Sequence, residues 1–385
     1  MPERLRNGPD RMKRILIYRL GSLGDTVIAL PCFHRIRRLF PDAEITVLTN
    51  QPVAGAAPPL QSILENTGTF DSVLAYPVGL GGWRAKAALR RELAARKFDL
   101  VVSLASARGR ASSVRDWLFF KSCGIPRVIG VPFSRRQLAY RLEPGQTQFE
   151  WEAQRLFARL AAFGPASLDD DALWDLRLTP GERAEASRLL REHRVAAPFL
   201  ALAVGTKVSA KDWGEGRWQQ LLQQLASRHA RVPLVLLGGR EDHARNERLA
   251  AVWPGARANL AGRCSPRVSA AVLADARLFA GPDSGPMHLA ACLGVPCVIV
   301  FSARSLPGQW FPRGSGHTIL YRTESCLGCA LDECVTHQLK CLTSISVAEV
   351  GAAMERHLHG ELASTQPPQR ELSTAGAELA RTSSR

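Results

Sequence analysis

Asp25 closes the turn Gly21-Ser22-Leu23-Gly24-Asp25, between an apolar run and a segment of helical periodicity. Glycines let backbone approach a ligand closely, and the amides of a helix start favour an anion. A carboxylate at this place can remove a proton from an attacking hydroxyl, or it can cap the helix. The turn lacks the GxGxxG spacing of a dinucleotide fingerprint, and the next strand-like run ends in Thr49-Asn50 where that fingerprint places an acidic residue.

Three further stretches offer anion chemistry. Gly205-Thr206-Lys207 followed by Lys211-Asp212-Trp213 has the parts of a phosphate clamp, since lysine presents a point charge to an oxyanion. The other reading is a solvated loop pinned by Trp213. Residues 281–288 carry Asp283-Ser284-Gly285 at a helix start and end in His288; the free amides suit a diphosphate, while His288 also fits a core position. Glu241 and Asp242 follow Gly238-Gly239-Arg240, where a carboxylate can bind ribose hydroxyls or cap a helix. A different chemistry is suggested by Cys326, Cys329, Cys334 and Cys341. Four thiols so close in sequence resemble a compact structural metal site, but the spacing matches no standard finger, and reduced thiols or labile disulfides stay open. The other five cysteines, Cys32, Cys123, Cys264, Cys292 and Cys297, are scattered and read as small buried hydrophobes.

These residues need strands and helices to hold them. Residues 13–20 and 44–49 read as strands around a helix at 26–40, with Pro31 in its first turns, which makes a βαβ unit and a parallel sheet. Residues 98–104 and 127–131 continue the sheet, and 148–162 reads as a helix. An acidic, proline-bounded stretch at 168–180 reads as the linker. A second α/β set follows, with strands at 199–204, 233–237, 278–280 and 297–301 and helices near 216–229, 241–252, 266–275 and 286–293. Residues 346–358 form a closing helix, and 362–385 lack apolar periodicity and are expected to be disordered. The 385 residues, at about 150 per domain, also predict two domains. Their expected bounds are 13–175 and 176–345.

The formal net charge is +15. Residues 1–150 hold 23 Lys and Arg against 12 Asp and Glu, so most of the excess lies there. Such a half implies an anionic partner. No aromatic-interleaved basic stripe or nucleic-acid motif accompanies it, so nucleic acid is not expected. Arg108, Arg110, Arg115, Arg135 and Arg136 flank strand-like runs and are the candidate contacts to an anionic acceptor. No segment resembles an export signal or a bilayer span, which predicts a cytoplasmic protein.

Three motifs in order carry a family resemblance: RLGSLGD at 19–25, GTKVSAKDW at 205–213 and GPDSGPMHLAACLGVPCVIVFS at 281–302. Together they resemble glycosyltransferase family 9, the ADP-heptose:lipopolysaccharide heptosyltransferases and their relatives, over about residues 13–358. Pro286-Met287 is a less usual filling before the histidine. The resemblance implies an α/β, GT-B fold of two Rossmann-like, doubly wound domains facing a cleft. It implies inversion at the anomeric carbon, no cofactor and no catalytic metal. By the motifs, Asp25 matches the family's proposed base and Lys211 the lysine on donor phosphate. Thr206, Lys207, Ser284, Gly285 and His288 belong to the same donor-phosphate motifs, and Glu241 or Asp242 to the ribose contact. The implied partners are a nucleotide sugar, ADP-heptose, and an anionic lipid-linked saccharide, with peripheral association at the inner membrane. A non-catalytic module binding nucleotide sugars or nucleic acid is the alternative.

Overall fold

A computed structural model describes residues 12–51, 58–79, 81–142 and 147–360. The expected disordered tail, 362–385, lies outside them. The chain divides into two compact units, Met1–Arg141 with Glu152–Arg177, and Leu142–Trp151 with Leu178–Arg385.

The first unit runs β1 (Arg14–Tyr18), α1 (Leu23–Leu39), β2 (Glu44–Gln51), α2 (Gln61–Leu64), β3 (Ser72–Pro77), α3 (Trp83–Ala95), β4 (Leu100–Ser103), α4 (Arg110–Ser122), β5 (Arg127–Ile129), α5 (Arg135–Leu138) and α6 (Glu152–Ala158). Its sheet has the order β3-β2-β1-β4-β5, and every neighbouring pair is parallel. A parallel sheet is covered on both faces and its strands read as unbroken apolar runs. Accordingly Ile15 to Tyr18 and all of β4 are buried. Helix α1 is buried from Thr26 to Ile36. Pro31 lies well inside it rather than in the first turn, because the helix already starts at Leu23.

The second unit runs α7 (Pro180–Glu192), β6 (Phe199–Leu202), α8 (Glu215–His229), β7 (Leu234–Leu236), α9 (His243–Ala251), β8 (Arg257–Asn259), α10 (Pro266–Leu273), β9 (Ala276–Pro282), α11 (Gly285–Cys292), β10 (Cys297–Phe301), β11 (His317–Tyr321), α12 (Lys340–Thr343) and α13 (Val347–His359). The sheet order is β11-β10-β9-β6-β7-β8, again all parallel. Trp213, Trp218 and Trp253 sit in its core with leucines of β6, β7 and α8.

In each sheet the strand order reverses beside the unit's first strand, between β1 and β4 and between β6 and β9. Ligands of open α/β sheets bind outside the carboxyl ends of the strands at such a switch point. The loops after β1, β4, β6 and β9 are therefore the places to look.

Two expectations change. The two units divide between Arg177 and Leu178, inside the expected linker stretch 168–180, but that stretch is packed rather than free: Leu173, Trp174 and Leu176 are buried in the first unit, Trp174 Nε1 donates to Leu168 O (2.9 Å) and Arg38 pairs with Asp170 (2.5 Å). The helix expected at 148–162 shortens to Glu152–Ala158. The residues before it belong to the second unit, where Phe149 N–H donates to Pro307 O (2.7 Å) and Trp151 Nε1 to Phe311 O (3.0 Å).

Candidate active site

Asp25 is the third residue of α1, on the carboxyl side of β1 at the first switch point. Its Oδ2 accepts from the Ser22 amide (2.9 Å) and the Ser22 hydroxyl (3.1 Å), so Asp25 does cap the helix. Its Oδ1 faces the Arg19 guanidinium at 3.6 Å, and the side chain keeps 27% exposure. One oxygen is thus committed to the cap, and the carboxylate stays open to solvent. The turn needs its glycine: Gly21 has φ +123°, and a Cβ there would lie 2.5 Å from Asp25 Cβ and Cγ.

Arg19 carries no exposed surface. Nη1 donates to Leu104 O (2.6 Å), Nη2 donates to Asp25 O, and its amide donates to Leu48 O (3.1 Å). It ties the ends of β1, β2 and β4 to Asp25. Behind it, Arg159 donates to Ser103 O (3.3 Å) and Ala105 O (2.5 Å), and burial lowers its pKa to about 10. Buried charges of this kind need partners; here the strand-end carbonyls serve. The sequence reading missed Arg19, although a cation ending an apolar strand is a visible signal.

In the second unit, β6 and β9 are neighbours and so are the loops that follow them. Lys211, after β6, forms an ion pair with Asp283, after β9, at 2.7 Å. Asp283 is 4% exposed and Lys211 18%. The loop that carries Lys211 is pinned on its far side. Asp212 takes two bonds from Arg245 (2.9 Å each), and buried Trp213 donates to Ile345 O (3.1 Å). The packed-tryptophan reading therefore holds without removing Lys211 from the switch point. Helix α11 starts next to Asp283, and the Ser284 Oγ there is out of solvent with no hydrogen-bond partner among the described residues. A buried hydroxyl and helix-start amides beside a lysine are groups that can receive an anion. Thr206 Oγ1 donates to Val208 O (3.0 Å), and Lys207 is exposed. His288 is buried, edge-on to Trp310.

Residues 86–340 match the sequence model of glycosyltransferase family 9 (heptosyltransferase). The chain belongs to this family. It is 26% identical over 331 residues to lipopolysaccharide heptosyltransferase 1 of Pseudomonas aeruginosa, covering 83% of this chain and 87% of that protein. Two solved structures share its fold. A family 9 glycosyl transferase from Veillonella parvula has a TM-score of 0.69 at 20% identity, over 90% of this chain and 98% of that one. The E. coli ADP-heptose lipopolysaccharide heptosyltransferase II has a TM-score of 0.62 at 20% identity, over 91% and 100%. The fold is thus GT-B, built of two Rossmann-like units.

For a glycosyltransferase, Glu241 and Asp242 are now distinguishable. The Asp242 carboxylate fills the space above Gly205 and Gly238, accepts from the Gly239 amide (2.8 Å), and has its pKa raised by burial. A side chain on Gly205 would collide with it. Glu241 is exposed. Asp242 is spent on internal capping, while Glu241 is accessible to a ligand.

Arg108 and Arg115 both bind Asp116, at 2.6 and 2.9 Å, and Arg108 also reaches the Tyr18 hydroxyl (3.4 Å). Arg108 follows β4 at the first switch point. Arg110 opens α4, and Arg135 and Arg136 are exposed on α5.

The four clustered cysteines are free thiols, Cys341 buried and the others half-buried. Of the five scattered ones, Cys264 and Cys292 are only half-buried. Among the described residues no three or more His, Cys, Asp or Glu side chains are arranged to hold a metal ion. Burial nonetheless raises the pKa of Cys326 together with the thiols of Cys329, Cys341 and Cys334, so the four lie near one another; no step passes through a metal. The loop also braces the Lys211 turn. Asp332 O accepts from the Ala210 amide (3.0 Å) and the Ser209 hydroxyl (3.2 Å). Arg304 fastens the loop through Leu331 O (2.6 Å), Ala330 O (3.1 Å) and the Asp332 carboxylate (2.6 Å).

Proposed function

We propose that this glycosyltransferase moves a heptose from ADP-heptose to an anionic, lipid-linked core saccharide, inverting the anomeric carbon. Asp25 takes the proton from the attacking acceptor hydroxyl. The hydroxyl oxygen bonds to the anomeric carbon as the bond to the diphosphate breaks. Charge growing on the leaving diphosphate is met by Lys211, the α11 amides and the Ser284 hydroxyl, with Thr206, Lys207 and His288 in the same motifs. Glu241 takes the ribose hydroxyls. The observation that carries this proposal is the placement of a half-buried, solvent-reachable carboxylate and a lysine each at the switch point of its own sheet. Family membership supports the reaction class, and the named relatives support the sugar and the acceptor. The acceptor's lipid implies work at the inner membrane face. Among the described residues no helix is long and apolar enough to cross a membrane, so association there is peripheral.

Lysine and amides neutralise the diphosphate without a divalent ion, and no Asp-x-Asp pair lies beside those motifs. Transfer from ADP-heptose to a deacylated core acceptor is therefore expected to persist in excess EDTA. Loss of transfer that magnesium or manganese restores, with circular dichroism unchanged throughout, would refute a metal-free step.

The arginines of the first unit meet the acceptor's anionic groups. Arg108→Ala with Arg110→Ala, and Arg135→Ala with Arg136→Ala, are each expected to raise the acceptor KM several-fold and leave the donor KM nearly unchanged. Added salt narrows the difference, because exposed pairs are screened over about 8 Å at physiological ionic strength. Wild-type acceptor kinetics in both double variants would place the acceptor elsewhere.

A further inference from the structure

Helix α4 leaves large apolar side chains on the outside of the molecule. Only Ser113 and Phe120 of its thirteen residues are buried. Ala111, Val114, Arg115, Leu118, Phe119 and Ser122 line a shallow open groove. Their spacing of three and four places them on one helix face. Val114 is 46% and Leu118 54% exposed, and Trp83 at the start of neighbouring α3 is 75% exposed. A surface helix normally turns such a stripe inward, and an apolar patch left outside marks an interaction site.

The surroundings of the stripe are cationic. Helix α3 carries Arg84, Lys86, Arg90 and Arg91 against Glu92, and α4 carries Arg110, Arg115 and Lys121 against Asp116. The Asp116 carboxylate is already taken by Arg108 and Arg115. Arg90 donates to Ser122 O (3.2 Å), which places its charge at the end of the groove. Arg84 lies over the Trp83 ring (5.4 Å) and Lys121 over Trp117 (5.8 Å).

We propose that the α3–α4 face docks on an anionic lipid bilayer, with Trp83, Val114 and Leu118 entering the headgroup region and the cations on lipid phosphates. Exposed apolar side chains on a pair of neighbouring helices rich in Lys and Arg, with an exposed indole on the same pair, match that interface. Each cation near an anionic leaflet adds to binding, and two signals together give stable association. A nucleic acid would use the charge but leave the Val114–Leu118 stripe uncovered. The proposal deepens the assignment of a lipid-linked acceptor and rests on it only for its biological setting.

Flotation of the full chain with vesicles tests it. The vesicles are phosphatidylcholine alone, and phosphatidylcholine with phosphatidylglycerol. Wild type is expected to bind the second and not the first, with binding reduced by salt. Val114→Glu with Leu118→Glu, and Arg84→Gln with Lys86→Gln and Arg91→Gln, should each lower partitioning about tenfold or more. Transfer to the deacylated acceptor and circular dichroism should not change in either variant. Equal binding to both vesicles, no binding, or wild-type partitioning by both variants would overturn the proposal. So would a wild-type dimer that the Glu variant splits without any loss of lipid binding. Vesicle binding as described in a protein that transfers no heptose would leave the docking face standing and refute the proposed reaction instead.

Discussion

Asp25→Asn is expected to lower kcat for heptosyl transfer about 10²-fold or more, the range for a lost general base. The substitution removes the proton acceptor and little else. An amide oxygen can still accept from the Ser22 amide and hydroxyl, which bind the carboxylate now at 2.9 and 3.1 Å. Arg19 keeps its bond to the backbone carbonyl of residue 25. The fold and the start of α1 should therefore persist, and melting temperature should move little. ADP affinity, measured by calorimetry, should stay near wild type, because the diphosphate motifs lie in the other unit. Turnover close to wild type with the same acceptor would leave Asp25 as a helix cap only.

Lys211→Met is expected to have two separable effects. Methionine keeps much of the length and the apolar contact but loses the charge. Removing one oxyanion stabiliser lowers kcat about 10² to 10³-fold, and ADP affinity falls with it. The variant also strands Asp283, 4% exposed, without its cation. Breaking a buried pair from one side costs about 3 kcal/mol, visible as a lower melting temperature. Adding Asp283→Asn should recover most of that stability, because the residue left behind is neutral, yet restore no transfer. A Lys211→Met enzyme with lowered stability but normal ADP affinity and turnover would make the pair purely structural.

The frame of both sheets was legible because parallel strands buried on both faces are continuous apolar runs, and β1, β6, β7 and β9 run into turns that contain glycine. β10 was placed residue for residue at 297–301. β8 was not seen, since Arg-Ala-Asn at 257–259 has neither length nor apolar character. Strand β3 and helices α3 and α4 were also missed; α3 turns only Leu89 and Leu93 inward and α4 turns its apolar stripe outward, so neither shows an inward-facing pattern. Asp25 and Lys211 were found by residue type at strand ends. Asp283 was read as part of a helix start, and its pairing with Lys211 was hidden because it depends on β6 and β9 being neighbours, which a linear pattern does not encode. Charge counting marked the arginines but could not show that Arg108 and Arg115 converge on Asp116. Cysteine spacing suggested a metal but gave no sign that the same loop braces the Lys211 turn through Asp332 O.

The most direct measurement of the central claim is the product of ADP-heptose and a deacylated core acceptor, followed by nuclear magnetic resonance. A heptoside of inverted anomeric configuration is predicted, formed by the wild type and lost in Asp25→Asn while ADP still binds. No heptoside, a retained configuration, or equal product from Asp25→Asn would contradict it.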